Sequence, residues 1–557
     1  MEDVKLPILA GLVMHQLLRR YETYTFSFYA LAILIPPALI VALPFSQGHA
    51  AVLTLGAFLQ CLALYLATLA GSILAYRVSP FHPLARYPGP LLGKLSGFWM
   101  AYVSTGGRQQ HYLKALHDRY GDVVRIAPNP TGPNTVVIRK PSTANTLIGG
   151  SGLPKGPQQL GRFLSDKNLA MIALQDTELH IQRRRAWNRG LSPAALKGYE
   201  DQIGKRASQL VSRIEEHKGE VLLDHWFGYF TYDFMSDMAF GGGTTEMLSG
   251  KADTSFWTGL EKSARNATFF GHVPWFGVML GRVPFLMSGS KDFLGKCKDS
   301  AARRLQRGSV TRDLFHYLNH EDVPDSKRPR PPFQQLVSDG ILAMVAGSDT
   351  VASTLTSLFA CLFAHPEVYE KLQEEVDKYY PPGEALHTKH HREMHYLTGV
   401  INETLRIFPA VPNCTQRQVP KDGNGITVDG VYLPAGTAFW MNAYSMHLDP
   451  HNFSPSPEAF LPERWLPASD PRSLCHGPGY AHNETAFMPF SIGPMNCVGK
   501  ALAMQEMRTV MCAIVQRIKL RPVSEGWKLE DYDRGFKDYF VTVRGELAAL
   551  VETRARV

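Results

Sequence analysis

The chain lacks any paired arrangement of cysteines. Its seven cysteines, at positions 61, 297, 361, 414, 475, 497 and 512, are odd in number, scattered, and never spaced Cys-x-x-Cys. That excludes a disulfide framework and a zinc site of the usual spacing, and it favours a reducing compartment for the main body. Dense Lys/Arg blocks are also missing. The net charge of +8 is spread along 557 residues, which argues against nucleic acid as a partner. A diffusely basic surface suits anionic lipid or an acidic protein instead. One region lacks charge altogether: between Glu22 and Arg77 there is no Lys, Arg, Asp or Glu.

Within that region Phe28–Pro44 and Ala51–Tyr76 each approach or exceed the ~18–20 apolar residues needed to cross a bilayer. Residues 1–76 are therefore expected to be a membrane anchor with spans at 28–44 and 51–76, the alternative being a single span at 51–76. Pro36 and Pro37 would kink the first span, which a membrane helix tolerates. The apolar patch Leu6–Leu18 is interrupted by His15 and too short to span, so it is expected to lie along the interface. Lys5, Arg19 and Arg20 precede the first span, the loop 44–50 has no Lys or Arg, and Arg77 and Arg86 follow the second. The positive-inside rule then places both ends in the cytoplasm and the short loop in the lumen. A doubled apolar stretch of this length is not a cleaved signal peptide. With the main body cytoplasmic, the sequons at Asn266, Asn402, Asn413, Asn452 and Asn483 are expected to carry no glycan.

Prolines at 80, 83, 88 and 90 stiffen a hinge at 77–94, and residues 95–557 are expected to form the main folded domain. Arg108–Tyr120 reads as a helix, and Val123–Ile126 with Thr135–Ile138 as two strands of a small sheet. Phe333–Ala364 reads as one long helix whose only charged residue after Gly340 is Asp349. Its serines and threonines make it too polar for a membrane span, so a helix buried on all sides is expected. A lone carboxylate there is costly unless partnered or functional, and beside the hydroxyl of Thr350 it can hold and pass protons. Gly347 is expected to let a ligand approach the backbone.

The densest signal is Pro489-Phe-Ser-Ile-Gly-Pro-Met-Asn-Cys-Val-Gly499, followed by a helical run. A thiol at a helix N-terminus, in a loop given freedom by Gly493 and Gly499, is placed to ligate as thiolate. This loop resembles the haem-binding loop of the cytochrome P450 family, Phe-x-x-Gly-x-Arg-x-Cys-x-Gly. Phe490, Gly493, Cys497 and Gly499 fall on the pattern, while Met495 replaces the arginine that in the family pairs with a haem propionate.

The rest of the chain carries the same resemblance in the same order. Ala346-Gly-Ser-Asp-Thr350 is similar to the family's acid–threonine motif, which implies that Asp349 and Thr350 serve proton delivery during dioxygen activation. Glu403-x-x-Arg406 followed by Pro462-Glu-Arg464 implies a buried structural network of Glu403, Arg406 and Arg464. His180 and Arg184, four apart on a basic helix, stand where the family places two propionate contacts. A solvated face is the ordinary explanation for Arg183-Arg-Arg185.

The resemblance thus implies a mainly α, triangular haem-thiolate (cytochrome P450) fold with a minor β-sheet, behind an N-terminal transmembrane anchor. It implies haem b with Cys497 as axial iron ligand. It further implies a monooxygenase that takes electrons from NADPH-cytochrome P450 reductase at the endoplasmic reticulum membrane, its catalytic domain facing the cytoplasm. The substrate class implied is a lipophilic small molecule, such as a terpenoid or polyketide of fungal secondary metabolism. The rivals are a haem-thiolate isomerase or dehydratase that needs no dioxygen, against which the Asp349–Thr350 pair argues, and a non-catalytic haem-binding membrane protein.

Overall fold

The computed structural model describes residues 2–20, 23–46, 55–127, 135–150, 152–217, 219–250, 254–283, 291–308, 310–324 and 329–554. The N-terminal region forms three helices, α1 (Glu2–Arg20), α2 (Phe26–Ser46) and α3 (Leu55–Val78). Residues 47–54, expected to hold most of the lumenal loop and the start of the second span, lie outside the described residues. Leu6–Leu18, expected as an interfacial strip, instead belongs to a continuous helix packed along α3.

The body is helical with a small sheet, and the elements that position the site are few. Strands β1 (Val123–Ala127) and β2 (Thr135–Ile138) pair antiparallel, with Val123 opposite Ile138. The helix α4 (Thr177–Gly190) is N-capped by Asp176, whose carboxylate accepts the Leu179 N–H at 3.0 Å. Then come strand β3 (Glu220–Leu222) and helices α5 (Leu223–Phe240), α6 (Thr254–His272) and α7 (Phe333–Ala364). Helix α8 (Pro366–Tyr379) and helix α9 (His395–Ile407) lead to strands β4 (Arg417–Gln418) and β5 (Ala438–Met441). Helix α10 (Lys500–Arg517) precedes β6 (Ile518–Pro522), β7 (Lys537–Tyr539), β8 (Val541–Val543) and β9 (Ala548–Thr553).

The main sheet has the order β1-β2-β5-β4, with β5 parallel to β2 so that Val137 lies opposite Trp440. Its β1, β2 and β5 residues are buried, which suits the Val- and Ile-rich, two-sided burial of strands inside an α/β layer. A second sheet orders β6-β9-β3. The hairpin β7/β8 turns at Phe540, whose φ of 81° is left-handed.

Helix α7 is the axis of the molecule. From Val351 to Phe363 every side chain is buried, and Phe359 stacks on Phe227 of α5 at a centroid distance of 5.5 Å. Although α7 is long and apolar enough to span a membrane, 61% of its most apolar window is buried, against 17% for α3. The first is a core helix; the second leaves its apolar surface open. The approach of α5 to α7 depends on missing side chains. A Cβ on Gly340 would lie 2.5 Å from the Phe240 ring, and one on Gly347 would lie 2.6 Å from Met235 Sδ. Gly347 therefore serves helix packing against Met235.

Candidate active site

The cysteine loop is held in a tight course by its own backbone. The Cys497 N–H donates to Phe490 O at 2.9 Å and the Asn496 N–H to Gly493 O at 3.1 Å. Gly493 has a φ of 76°, and a Cβ there would sit 2.0 Å from Ile148 O, so no other residue fits. Gly499 is the N-cap of α10, and Phe490 packs against the main core. Burial pushes the Cys497 thiol up, while the Gly499 N–H, the Arg184 charge and the Lys500 N–H pull it back toward thiolate. Cys497 nevertheless keeps accessible surface. A side chain that is both deeply surrounded and accessible faces an interior space rather than bulk solvent. Val498 and Leu502 fix the direction of that space by packing with Trp187 of α4 and Leu342 and Ala343 of α7.

Beside the loop lies an unusual gathering of buried positive groups. Of the three consecutive arginines on α4, Arg185 faces solvent while Arg183 and Arg184 turn inward. Arg183 pairs with buried Asp339 at 2.6 Å. Arg184 donates to the backbone oxygen and to Oδ1 of Asn496, both at 2.6 Å, and so braces the cysteine loop. His180 is 1% exposed and its Nδ1 has no hydrogen-bond partner among the described residues. Burial, then the charges of Lys155, Arg184, Arg417 and Arg183, lower its pKa to about 3, so the ring is neutral. Lys155, also buried, donates to Met171 O at 3.0 Å, and burial together with Arg417, Arg184 and Arg183 depresses its pKa well below the usual lysine range. Arg417 of β4 is 2% exposed, with Nη1 unpartnered among the described residues. Among the described residues no carboxylate pairs with Lys155, Arg184 or Arg417 at salt-bridge distance. Uncompensated buried cations cost several kcal/mol each, so this cluster calls for an anion with several oxygen atoms.

The third wall is α7. Ala346 and Thr350 lie on its open side, and the Thr350 hydroxyl donates to Ala346 O at 2.7 Å. Asp349 points the other way, into a cavity of about 240 Å³ that it lines with Asp224, His225, Tyr229, Glu261 and Arg544. Burial raises its carboxyl to about 6, partly offset by the Arg544 charge. Asp349 and Thr350, neighbours on one helical turn, thus face different surroundings: Asp349 lines the polar cavity, and Thr350 does not.

Behind the loop stands a rigid polar scaffold. Arg406 binds Glu403 through two bonds, Nε–Oε2 at 2.8 Å and Nη2–Oε1 at 2.7 Å, and Arg464 Nε reaches Oε1 at 3.5 Å. Trp465 Nε1 and the Leu461 N–H complete the carboxylate's shell at 2.8 and 3.0 Å. Burial alone would push the Glu403 carboxyl up, but Arg406 and then Arg464 hold it below the usual range. The scaffold is tied to the cysteine loop through His447. Its Nδ1 bonds Arg406 O at 3.1 Å and its Nε2 accepts the Met488 N–H at 3.1 Å, one residue before Pro489. Those two bonds fix the tautomer, and burial lowers its pKa to about 3.

The comparisons with known proteins agree with this geometry. Residues 86–538 match the family model described as Cytochrome P450. The chain belongs to the cytochrome P450 family. It is 32% identical to the cytochrome P450 monooxygenase FCK2 of Fusarium pseudograminearum, covering 88% of this chain and 86% of that one. It is 30% identical to the tryprostatin B 6-hydroxylase of Aspergillus fumigatus, covering 83% and 79%. A cytochrome P450 monooxygenase of Hypoxylon pulicicidum, nodW, is also 30% identical, over 83% of this chain and 82% of that one.

The family of this P450 monooxygenase implies a haem-thiolate iron. Cys497 would supply the thiolate, and the buried groups Lys155, Arg184 and Arg417, with the His180 ring, would offer donors to the two carboxylates a haem carries. Met495, where the family has arginine, is buried and apolar, so the positive charge comes from elsewhere. Lys155 and Arg417 were not legible as site residues, and neither was the His447 link. They come from segments far apart in the chain, with no local spacing to mark them.

Proposed function

We propose that this chain binds haem b and inserts one oxygen atom of dioxygen into a lipophilic small molecule of fungal secondary metabolism. Its electrons come from NADPH through NADPH-cytochrome P450 reductase, and its catalytic domain faces the cytoplasm from the endoplasmic reticulum membrane. The observation that carries this reading is the gathering of Lys155, Arg184, Arg417 and His180, without a carboxylate partner among the described residues, joined through the Arg184–Asn496 bonds to the loop of Cys497. The names of its relatives, one of which is a hydroxylase of tryprostatin B, support the substrate class.

Haem iron with a thiolate ligand supplies dioxygen activation, the thiolate favouring O–O cleavage. The chain's own residues do the rest. Lys155, Arg184, Arg417 and His180 would hold the carboxylates, and Asn496, braced by Arg184, fixes the approach of the loop. Thr350 donates its proton to Ala346 O, which leaves Oγ1 free to accept a further hydrogen bond on the open side. Asp349, with a pKa near 6, exchanges protons with its polar cavity at neutral pH and can refill the threonine side. Apolar walls from α4, α7 and α10 exclude water from the reacting space. Turnover assayed with NADPH and the reductase on a panel of lipophilic metabolites tests the proposal. NADPH-dependent, dioxygen-dependent hydroxylated product is expected, and rearrangement or dehydration without dioxygen would overturn it.

A further inference from the structure

The three N-terminal helices pack in a way that settles more than the number of apolar runs. Helix α1 lies alongside α3 and runs parallel to it. Gly11 faces Tyr65 to Leu69, where a Cβ would be 3.0 Å from Tyr65 O and 3.2 Å from Leu69 N. One turn on, His15 Nδ1 is 2.7 Å from Ser72 Oγ. One further turn on, the Arg19 guanidinium lies 4.3 Å over the Tyr76 ring. Each turn of α1 meets the next turn of α3 in the same direction. Helix α2 is antiparallel to α3 by the same test: Tyr65 donates to Ala32 O at 2.7 Å, and Cys61 Sγ reaches back to Pro37 O at 3.8 Å.

A helix in contact with another along its length shares that helix's tilt. If α3 crosses the bilayer, α1 cannot lie flat in the interface. The side chains of α1 fit this orientation. Leu6, Leu9, Leu12, Val13 and Leu17 are exposed, while the polar His15 is 5% exposed and bonded to Ser72. That is the reverse of a water-facing helix and the pattern of a membrane helix, with polar groups turned inward and apolar ones outward. No Lys, Arg, Asp or Glu interrupts Leu6–Leu18, and charge collects at the ends, Glu2, Asp3 and Lys5 against Arg19 and Arg20. Its 19 residues rise about 28 Å, close to the ~30 Å of a hydrocarbon core.

We propose that α1 is a third membrane-crossing helix whose outer face contacts lipid acyl chains, so that the N-terminal end of α1 faces the lumen. The inference rests on the reading of α3 as a span. It replaces the two-span arrangement, in which α1 stays at the cytoplasmic surface. The positive-inside rule separates the two only weakly, because Arg19 and Arg20 remain cytoplasmic in each and only Lys5, beside Glu2 and Asp3, changes side; the parallel packing of α1 on α3 separates them.

The test is cysteine labelling of the full-length protein in sealed microsomes with a membrane-impermeant maleimide, each variant read against the parent chain. Asp3→Cys probes the start of α1. Leu55→Cys, at the exposed lumenal end of α3, and Phe81→Cys, 86% exposed beyond its cytoplasmic end, serve as references. Phe81→Cys is expected to label at once, and Leu55→Cys and Asp3→Cys only after permeabilisation. Immediate labelling of Asp3→Cys with Leu55→Cys still protected overturns the third span and leaves the anchor reading intact. Immediate labelling of both, with release of the protein by alkaline carbonate, overturns the membrane reading and the third span with it.

Discussion

Arg417 gives the sharpest test of the cation cluster, because the two proposed states of the protein respond to its loss in opposite directions. The residue is 2% exposed, one nitrogen has no partner among the described residues, and burial lowers its pKa to about 10. In the haem-free protein the charge is a liability: it sits among Lys155 and Arg184 without a carboxylate. Replacing it by an apolar side chain of similar reach, Arg417→Met, removes that penalty, and buried ionic groups replaced in this way commonly stabilise by ~1–4 kcal/mol. In the loaded protein the same arginine would donate charge-assisted hydrogen bonds to a carboxylate, each worth ~1.5–3 kcal/mol. Loss of one such bond weakens haem retention by roughly 10- to 100-fold. The assay is paired: chemical unfolding of the haem-free protein, and transfer of haem from the loaded protein to an apo-globin acceptor. The expected result is a more stable apoprotein that loses haem faster. A less stable apoprotein with unchanged haem loss would refute the reasoning, because Arg417 would then be a structural cation with partners of its own.

Glu403→Gln should destabilise by ~3–5 kcal/mol, because it strands buried Arg406 and Arg464 beside a neutral amide; thermal unfolding measures this, and a shift no larger than that of a surface substitution would contradict it. Asp349 has a folded pKa of about 6 against an ordinary 3.8, so its favourable contribution is complete below about pH 4 and lost as pH rises through 6. Asp349→Asn is therefore expected to gain stability over the parent at pH 7–8, by at most about 3 kcal/mol and less where the cavity admits water, and to lose that gain at about pH 4; it should also uncouple NADPH consumption from product. His447 is held neutral with a pKa of about 3, so the unfolded chain binds more protons between about pH 3 and 6.5 and stability falls as pH drops through that window. His447→Phe should flatten this acid limb in unfolding titrations while loosening the cysteine loop, seen as faster haem loss.

How far the chain was legible depends on how local each feature is. Phe333–Ala364 has the bounds expected from sequence, because a long apolar run with a single charge is a local signal. The strands at 123–127 and 135–138 were equally visible through their β-branched residues. The order of Glu403, Arg406, Arg464 and Cys497 carried the family resemblance. Lys155 and Arg417 were invisible because their meaning is an absence, that of any carboxylate within reach, which only the assembled fold reveals. Gly347 reads as room for a ligand; a small residue announces a close approach but does not say to what, and the neighbour in the fold is Met235. The packing of helix α1 is hard to read from sequence for a related reason. Its short apolar run looks broken by His15, and the serine that satisfies this residue lies on another helix, 57 positions away.

The central claim is that Cys497 ligates haem iron as thiolate. The reduced, carbon-monoxide-bound difference spectrum of the purified protein measures this directly, compared with Cys497→His to replace the ligand by a neutral imidazole. The expected result is the red-shifted Soret band of a thiolate-ligated haem in the parent and its loss in the variant. A haem-replete parent without that band, or a variant that keeps it, would contradict the account.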